Sequence, residues 1–126
     1  MTQEDKDLLL KDLCARLPYN CRVFYEYVDD LDGKTYGYSL TLNTWCIDEF
    51  VANKAVIKPY LRPLSSMTEE ERLLFYQNTL QYNEETGYSE YTYESIDWLN
   101  AHHFDYRGLI EKGLAIPVTK ENNTYK

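Results

Sequence analysis

The stretch that decides the fold is Arg22-Val23-Phe24-Tyr25-Glu26-Tyr27-Val28, whose β-branched and aromatic residues predict a strand. The Asp-Gly pair at Asp32 and Gly33 follows it and predicts a tight turn. The chain then alternates again from Thr35 to Asn43, and its larger side chains share one side: Tyr36, Tyr38, Leu40 and Leu42. These features predict a two-stranded antiparallel hairpin with one face toward the core.

Two more short strands are expected after this hairpin. The residues from Trp45 to Val51 are predicted as a third strand, although Ile47 to Val51 would also suit the start of a helical turn. A fourth apolar run covers Ala55 to Lys58. Pro59 and Pro63 restrict that run to an edge strand or an extended segment, because proline has no N–H to donate to a ladder.

A helix is predicted before the hairpin. Thr2 is a suitable N-cap, and the helix is expected over Gln3–Arg16 because Pro18 disfavours helix at the residue before it. Helical spacing places five residues on one predicted face: Leu9, Leu10, Leu13, Cys14 and Leu17.

More helices are expected in the second half of the chain. Thr68 and Glu71 have capping-box spacing and predict a helix that runs to about Tyr82. After a turn at residues 83–87, a helix capped by Thr92 is expected to reach residue 103. A short last helix over residues 106–112 would end at Gly113, a residue type that is typical after helix C-termini.

These elements predict a single α+β domain over residues 1–126. It would contain an N-terminal helix, a small antiparallel sheet of three to four strands, and two to three helices packed on one face. The polar residues from about Thr119 onward are expected to form a frayed tail.

The net charge limits the kinds of partner. The 126-residue chain carries a formal charge of −8. A nucleic-acid binder needs a basic patch to displace counterions from phosphates, so direct nucleic-acid binding is not expected. The charge instead favours a protein partner with a basic surface.

The sequence also predicts a cytoplasmic location. Met1 to Asp7 are polar and acidic, whereas a secretory signal has a positive start followed by an apolar stretch. No run approaches the ~18 apolar residues that span a bilayer, so no membrane segment is predicted.

An acidic and aromatic segment is the main functional feature. The stretch from Leu73 to Tyr106 contains no Lys or Arg, and the chain has 13 tyrosines. Tyrosine suits interfaces because it combines a large contact area with a polar tip. A simpler interpretation places Tyr76, Trp98 and Phe104 in the core and leaves the rest half-buried. The predicted partner-binding residues are Tyr82, Glu84, Glu85, Tyr88, Glu90, Tyr91, Tyr93 and Glu94.

An enzyme or ligand-binding domain is the alternative, with a pocket near Cys46 and the pair His102 and His103. Adjacent residues on a helix point about 100° apart, so the two histidines are poorly placed to ligate one metal. The three cysteines lack C-x-x-C spacing and are expected to be free thiols. No catalytic residue, metal or cofactor is predicted.

Three blocks of the sequence resemble small uncharacterised proteins of gut Bacteroidetes and their phages and mobile elements. The blocks cover residues 8–18, 57–71 and 97–110, about a third of the chain. The resemblance implies a bacterial or phage setting and no known activity.

Together these observations predict a non-enzymatic acidic interaction module. In the setting that the resemblance implies, it would be a phage or mobile-element accessory factor that modulates a host protein. One version is an inhibitor that mimics nucleic acid, since the carboxylates are closely spaced. A third hypothesis is a homodimer that uses the tyrosines.

The acidic surface yields a first prediction. Changing Glu84, Glu85, Glu90 and Glu94 to Gln should leave folding intact and abolish salt-sensitive capture of a basic partner from host lysate. The carboxylates would supply the attraction, and it should weaken with ionic strength. Equal capture by the variant and the wild type at the same salt would contradict the prediction.

Overall fold

The protein has the predicted α+β fold. The computed structural model describes residues 1–78, 80–83, 88–91 and 93–125, with side chains described for residues 1–75 and 93–125. The helices in these ranges are α1 (Gln3–Arg16), α2 (Thr44–Val51), α3 (Glu69–Asn78) and α4 (Tyr93–Ala101). The strands there are β1 (Arg22–Val28), β2 (Thr35–Thr41), β3 (Val56–Pro63), β4 (Leu80–Asn83), β5 (Tyr88–Tyr91), β6 (Phe104–Asp105) and β7 (Ile116–Pro117).

The hairpin of β1 and β2 has a well-defined register. At the turn, the Asp29 N–H donates to the Lys34 carbonyl over 2.9 Å, and at the open end the Leu42 N–H donates to the Cys21 carbonyl over 2.8 Å. Both bonds belong to the register that pairs Tyr25 with Tyr38. Since hydrogen-bonded and non-bonded pairs alternate in an antiparallel ladder, the even-numbered residues of β2 point their backbone groups at β1.

The main sheet is mixed. Its strands lie in the order β2-β1-β3-β6, and β7 also pairs with β3. The pairs β1–β2 and β1–β3 are antiparallel, whereas β3 pairs in parallel with β6 and with β7. The antiparallel pairs agree with the antiparallel sheet that the sequence predicts. The parallel pairs of β3 with β6 and with β7 were not predicted.

The strand that contains both prolines is central, so the expectation of an edge strand is wrong. β3 pairs with β1 through Val56–Pro59 and with β7 and β6 through Tyr60–Pro63. The alternation in the ladder turns the nitrogen of Pro59 away from β1, so its missing N–H removes no bond from that pair. Pro59 therefore lies where β3 changes partners.

α2 replaces the predicted third strand. The Asn43 side chain accepts a hydrogen bond from the Cys46 N–H at 3.0 Å, which makes Asn43 the N-cap. Cys46 and Phe50 are both buried and lie four residues apart, on one side of the helix. The helical alternative for Ile47 to Val51 is thus confirmed.

α1 has the predicted bounds but a different buried face. Thr2 caps it by accepting from the Asp5 N–H over 3.0 Å. Cys14, predicted to face the core, is exposed. The buried residues are Leu9, Asp12, Leu13 and Arg16, so two of the four are charged.

The two buried charges of α1 form a network with a third. Arg16 Nε donates to Asp12 over 2.7 Å, and Arg16 Nη2 donates to the Phe104 carbonyl over 2.7 Å. The other carboxylate oxygen of Asp12 accepts from Arg107 Nε over 3.1 Å. Asp12 and Arg16 are fully buried. The network therefore links α1 to β6 and to the loop that follows it.

The second half of the chain departs from the predicted helices. The capping box is present, since Thr68 Oγ1 accepts from the Glu71 N–H and Glu71 accepts from the Thr68 N–H. However, α3 ends at Asn78, and β4 and β5 form an antiparallel hairpin where the helix was expected to continue. Of the turn predicted over residues 83–87, Asn83 belongs to β4, and residues 84–87 lie outside the described residues, as does the predicted cap Thr92.

Turns replace the predicted short helix over residues 106–112. The Asp105 carboxylate accepts from the Leu109 and Ile110 N–H groups, each over 3.0 Å. Gly113 has the expected role at the end of this segment, with a φ of +72°. Its N–H donates to the Ile110 carbonyl, and the next N–H donates to the Leu109 carbonyl.

The end of the chain packs against the sheet, which differs from the expected frayed tail. The Tyr125 hydroxyl donates to the Tyr60 carbonyl over 2.7 Å and accepts from the Arg22 N–H over 2.9 Å. Its ring stacks on His103 with 3.7 Å between centroids. Thr124 adds to this anchor, because its hydroxyl accepts from Arg22 Nε over 3.0 Å. None of the helices in the ranges given above combines the length and apolar character needed to cross a membrane.

The buried network should control stability. Asp12→Ala removes the only carboxylate in the network described above and leaves the fully buried guanidinium of Arg16 and the partly buried one of Arg107 without it, so we expect a loss of about 3–5 kcal/mol in unfolding free energy. Asp7→Ala, at an exposed position of the same helix, should change it by less than ~0.5 kcal/mol. Urea denaturation measures both, and similar values for the two variants would contradict the prediction.

Candidate functional site

Five aromatic rings form a continuous surface on one face of the hairpin, which we name the aromatic ladder. Its members are Tyr25, Tyr27, Tyr36, Tyr38 and Trp45. Tyr25 lies at its centre, with its ring centroid 4.9 Å from Trp45, 5.4 Å from Tyr38 and 5.6 Å from Tyr27. The ladder is completed by Tyr36, whose ring lies 6.0 Å from that of Tyr27.

The hairpin register and α2 bring these rings together. Directly opposite residues of an antiparallel pair share a face, and the register pairs Tyr25 with Tyr38 and Tyr27 with Tyr36. Trp45 reaches the same face because α2 is anchored in the core by its buried neighbour Cys46. The ladder is thus an extension of the core beyond the area that α2 covers.

Much of the ladder is exposed. Tyr25 is buried, but Tyr36 is 43% exposed, and Tyr38 and Trp45 are each 45% exposed. Scattered single apolar residues on a surface are ordinary, whereas a contiguous aromatic surface marks an interaction site. This contiguity makes the ladder the strongest functional candidate among the side chains that the structure describes.

Carboxylates border the ladder. Asp29, Asp30 and Asp32 lie in the turn that joins its two strands. The Tyr36 hydroxyl donates to the Asp32 carboxylate, and this bond lowers the pKa of Asp32 and raises that of Tyr36. Burial raises the pKa of Tyr25, and the nearby carboxylate of Glu49 raises it further. The ladder is therefore neutral and is flanked by negative charge.

A cleft of about 760 Å³ adjoins the ladder at the turn end of the hairpin. Tyr25 and Tyr27 line it together with Phe50 and two lysines, Lys6 and Lys54. Lys6 is engaged there, since its Nζ donates to the Asn53 side chain and lies 5.6 Å from the Phe50 ring centroid. The cleft mixes both charge signs, so its lining does not favour one class of ligand.

Two of the predicted partner-binding residues have described side chains, and both are exposed. Tyr93 opens α4 and is 92% exposed, and Glu94 follows it in the first turn. The other six lie outside the described side chains: Tyr82, Glu84, Glu85, Tyr88, Glu90 and Tyr91. The interpretation that places aromatic residues of this segment in the core holds for two of them, since Phe104 is buried and Trp98 packs beside it.

The residues of the predicted pocket contact different neighbours. Cys46 is buried in the main core with Leu9 and Phe50. His102 stacks on Trp98 with 4.0 Å between centroids, and its Nδ1 lies 2.9 Å from the Trp98 carbonyl oxygen. Neither histidine nor Cys46 lines the cleft. Among the described residues, no group of three His, Cys, Asp or Glu side chains is arranged to hold a metal.

His103 and Cys21 meet instead around Tyr125. The Tyr125 hydroxyl lies 3.5 Å from the Cys21 sulfur, and its ring stacks on His103. Burial raises the pKa of the Cys21 thiol to about 11, so little nucleophilic thiolate forms near neutral pH. Burial lowers the pKa of His103 to about 4, with smaller contributions from Arg16 and His102. These groups form a structural cluster.

The comparisons with known proteins add no family. No protein-family model, curated protein or solved structure matches the chain.

The sequence alone does not reveal the aromatic ladder, because strand alternation predicts that Tyr36 and Tyr38 face the core. They do lie on that face, but no element of the described chain covers them. The alternation of tyrosines on both strands was a usable signal, since it placed four of them on one side. Trp45 carried no such signal, because its position depends on α2.

The histidine cluster predicts a pH dependence. The folded pKa of His103 lies below its ordinary value of 6.5, so folding favours the neutral ring. The unfolded chain then binds more protons, and stability is lost as the pH falls from about 6.5 to about 4. Between pH 7 and pH 4.5 the wild type should lose about 2 kcal/mol more than His103→Asn. Asparagine suits the left-handed φ of +64° at this position.

Urea denaturation at the two pH values tests this. If His103→Asn lost as much stability on acidification as the wild type, His103 would not be the group responsible.

Proposed function

We propose that the protein is a non-enzymatic interaction module that binds a protein with a basic surface. The observation that carries the proposal is the exposed aromatic ladder with carboxylates along its border. Exposed tyrosine and tryptophan supply contact area at low entropic cost, and they also attract Lys and Arg through their ring faces.

The charge of the chain supports a basic partner. A formal charge of −8 gives an attractive field for positive surfaces and increases association rates at low salt. The acidic and aromatic segment that includes Tyr93 and Glu94 is the second part of the proposed surface. Following the resemblance noted above, we propose that the partner is a host protein that a phage or mobile-element factor modulates.

An enzyme or ligand-binding function near Cys46 and His102/His103 has less support. Such a site would need a nucleophile and a base within hydrogen-bond reach. Cys21 and His103 both contact Tyr125, Cys21 through the Tyr125 hydroxyl and His103 through the Tyr125 ring. The cleft beside the ladder remains the better place to seek a bound small molecule.

The proposal predicts that binding will require the ladder. Tagged wild-type protein should capture a basic protein from cell lysate, and binding of the purified partner should weaken as salt is raised. Tyr36→Ser, Tyr38→Ser and Trp45→Ser combined should weaken that binding at least ~10-fold, a loss typical of aromatic hot spots.

Leu64→Ser serves as the control, because it removes one exposed apolar side chain that belongs neither to the ladder nor to the segment around Tyr93. A loss for Leu64→Ser as large as that of the ladder variant would contradict the proposed surface. A partner without basic character, bound with no dependence on salt, would overturn the proposal. Circular dichroism checks that the variants are folded.

A further inference from the structure

The outer edge of β2 carries backbone groups with no partner strand. β2 lies at the end of the main sheet and pairs only with β1 among the described strands. Because its even-numbered residues bond to β1, the N–H and C=O groups of the odd-numbered ones point outward. These are Thr35, Gly37, Ser39 and Thr41, and all four are exposed.

This edge lacks the usual protection. Natural edge strands carry lysine, other charges, proline or a bulge, or are short or covered. The seven residues of β2 contain no charge and no proline, and they pair continuously from Thr35 to Thr41 with no bulge. A regular, uncharged edge of this length is a template for another strand.

We infer that β2 binds an extended, Arg- or Lys-rich segment of the partner by strand addition. This inference rests on the proposed function and names the binding mode. The new strand would bond to the outward backbone groups, as in known β-augmentation. Its alternate side chains would lie beside Tyr36 and Tyr38, where positive groups can meet the ring faces.

Charge decides between occupants of this edge. The turn at one end of β2 holds Asp29, Asp30 and Asp32, and its only cation is Lys34. A second copy of the chain would bring another formal charge of −8 to the same edge. A basic segment meets attraction there, whereas a second copy meets repulsion.

The two central residues with outward backbone groups, Gly37 and Ser39, are small, which suits the approach of another strand. Gly37 lies beneath the Phe24 ring, and an added Cβ there would come within 2.4 Å of it. Ser39 is also small, and its hydroxyl lies 2.8 Å from that of Tyr60. The Phe24 ring therefore fills the side-chain space beside Gly37, whereas neither Gly37 nor Ser39 itself carries a bulky side chain next to its outward backbone groups.

The first test uses the wild-type protein and a short capped peptide that alternates threonine with arginine and spans the length of β2. Amide hydrogen exchange by NMR should show new protection at Gly37 and Ser39 and little change at Tyr36 and Tyr38, which already bond to β1. A matched peptide with glutamate in place of arginine should bind at least ~10-fold more weakly.

The second test compares two substitutions at one position. Ser39→Pro and Ser39→Ala both remove the hydroxyl, but only proline removes the outward N–H, which takes no part in the β1 ladder. We expect Ser39→Ala to bind the arginine peptide within about twofold of the wild type and Ser39→Pro to bind at least ~10-fold more weakly. Comparable affinity for the two variants would overturn strand addition.

The outcomes separate this inference from the proposed function. Salt-sensitive binding of a basic partner with no protection at Gly37 and Ser39 would overturn the strand addition and leave the proposed function standing. No binding of any basic partner or peptide would overturn both. Protection of the same amides in the protein alone, with dimerisation, would show that a second copy occupies the edge and would also overturn the inference.

Discussion

The buried ionic network of Asp12, Arg16 and Arg107 is the interaction on which the rest of the structure depends. It joins residues more than 90 positions apart and bonds directly to the carbonyl of Phe104 in β6. Tyr106 contributes as well, because its ring lies 5.2 Å from Arg16 and 4.9 Å from Arg107. Charges that are removed from water require partners of opposite charge. The network therefore fixes α1 relative to the final third of the chain.

A second constraint comes from the prolines in β3. β3 changes partners at Pro59. Its first half, up to Pro59, pairs with β1, and its second half pairs with β7 and β6. Arg62 secures the second half through two hydrogen bonds to Glu71, at 2.8 and 2.6 Å. This side of the sheet is closed by β6 and β7. The opposite side ends at β2, and the inferred strand addition follows from that asymmetry.

The tyrosines of this chain have distinct roles that their number alone does not reveal. Tyr125 anchors the end of the chain, and Tyr106 packs within the ionic network. Tyr36 and Tyr38 are exposed on a regular strand. The same residue type is structural where a hydroxyl meets a buried carbonyl, and it is available for binding where the ring extends past the covering helix. This distinction supports the ladder as a surface for a partner.

Local patterns were sufficient for several elements. α1, its Thr2 cap, the β1–β2 hairpin and the Thr68–Glu71 capping box are all readable from neighbouring residues, because caps, turns and strand alternation depend on short-range geometry. The Gly113 terminus belongs to the same class. Two of the proposed binding residues, Tyr93 and Glu94, are exposed, as the interaction hypothesis requires.

The remaining features needed the tertiary structure. Asp12 and Arg16 look like solvated helix residues until Arg107 and the Phe104 carbonyl surround them. The sequence predicts Pro59 in an edge strand, whereas the structure places it where β3 changes partners. The sequence also predicts a strand at α2, which is a helix because Cys46 and Phe50 pack in the core.

The sequence by itself therefore determined the α+β class, the first helix, the hairpin and the acidic character of the chain. Only the tertiary structure decided which charges are buried, which strand is central and which tyrosines stay exposed. The physical reason is that burial and strand order depend on contacts between residues far apart in the chain, whereas caps, turns and alternation are set within a few residues.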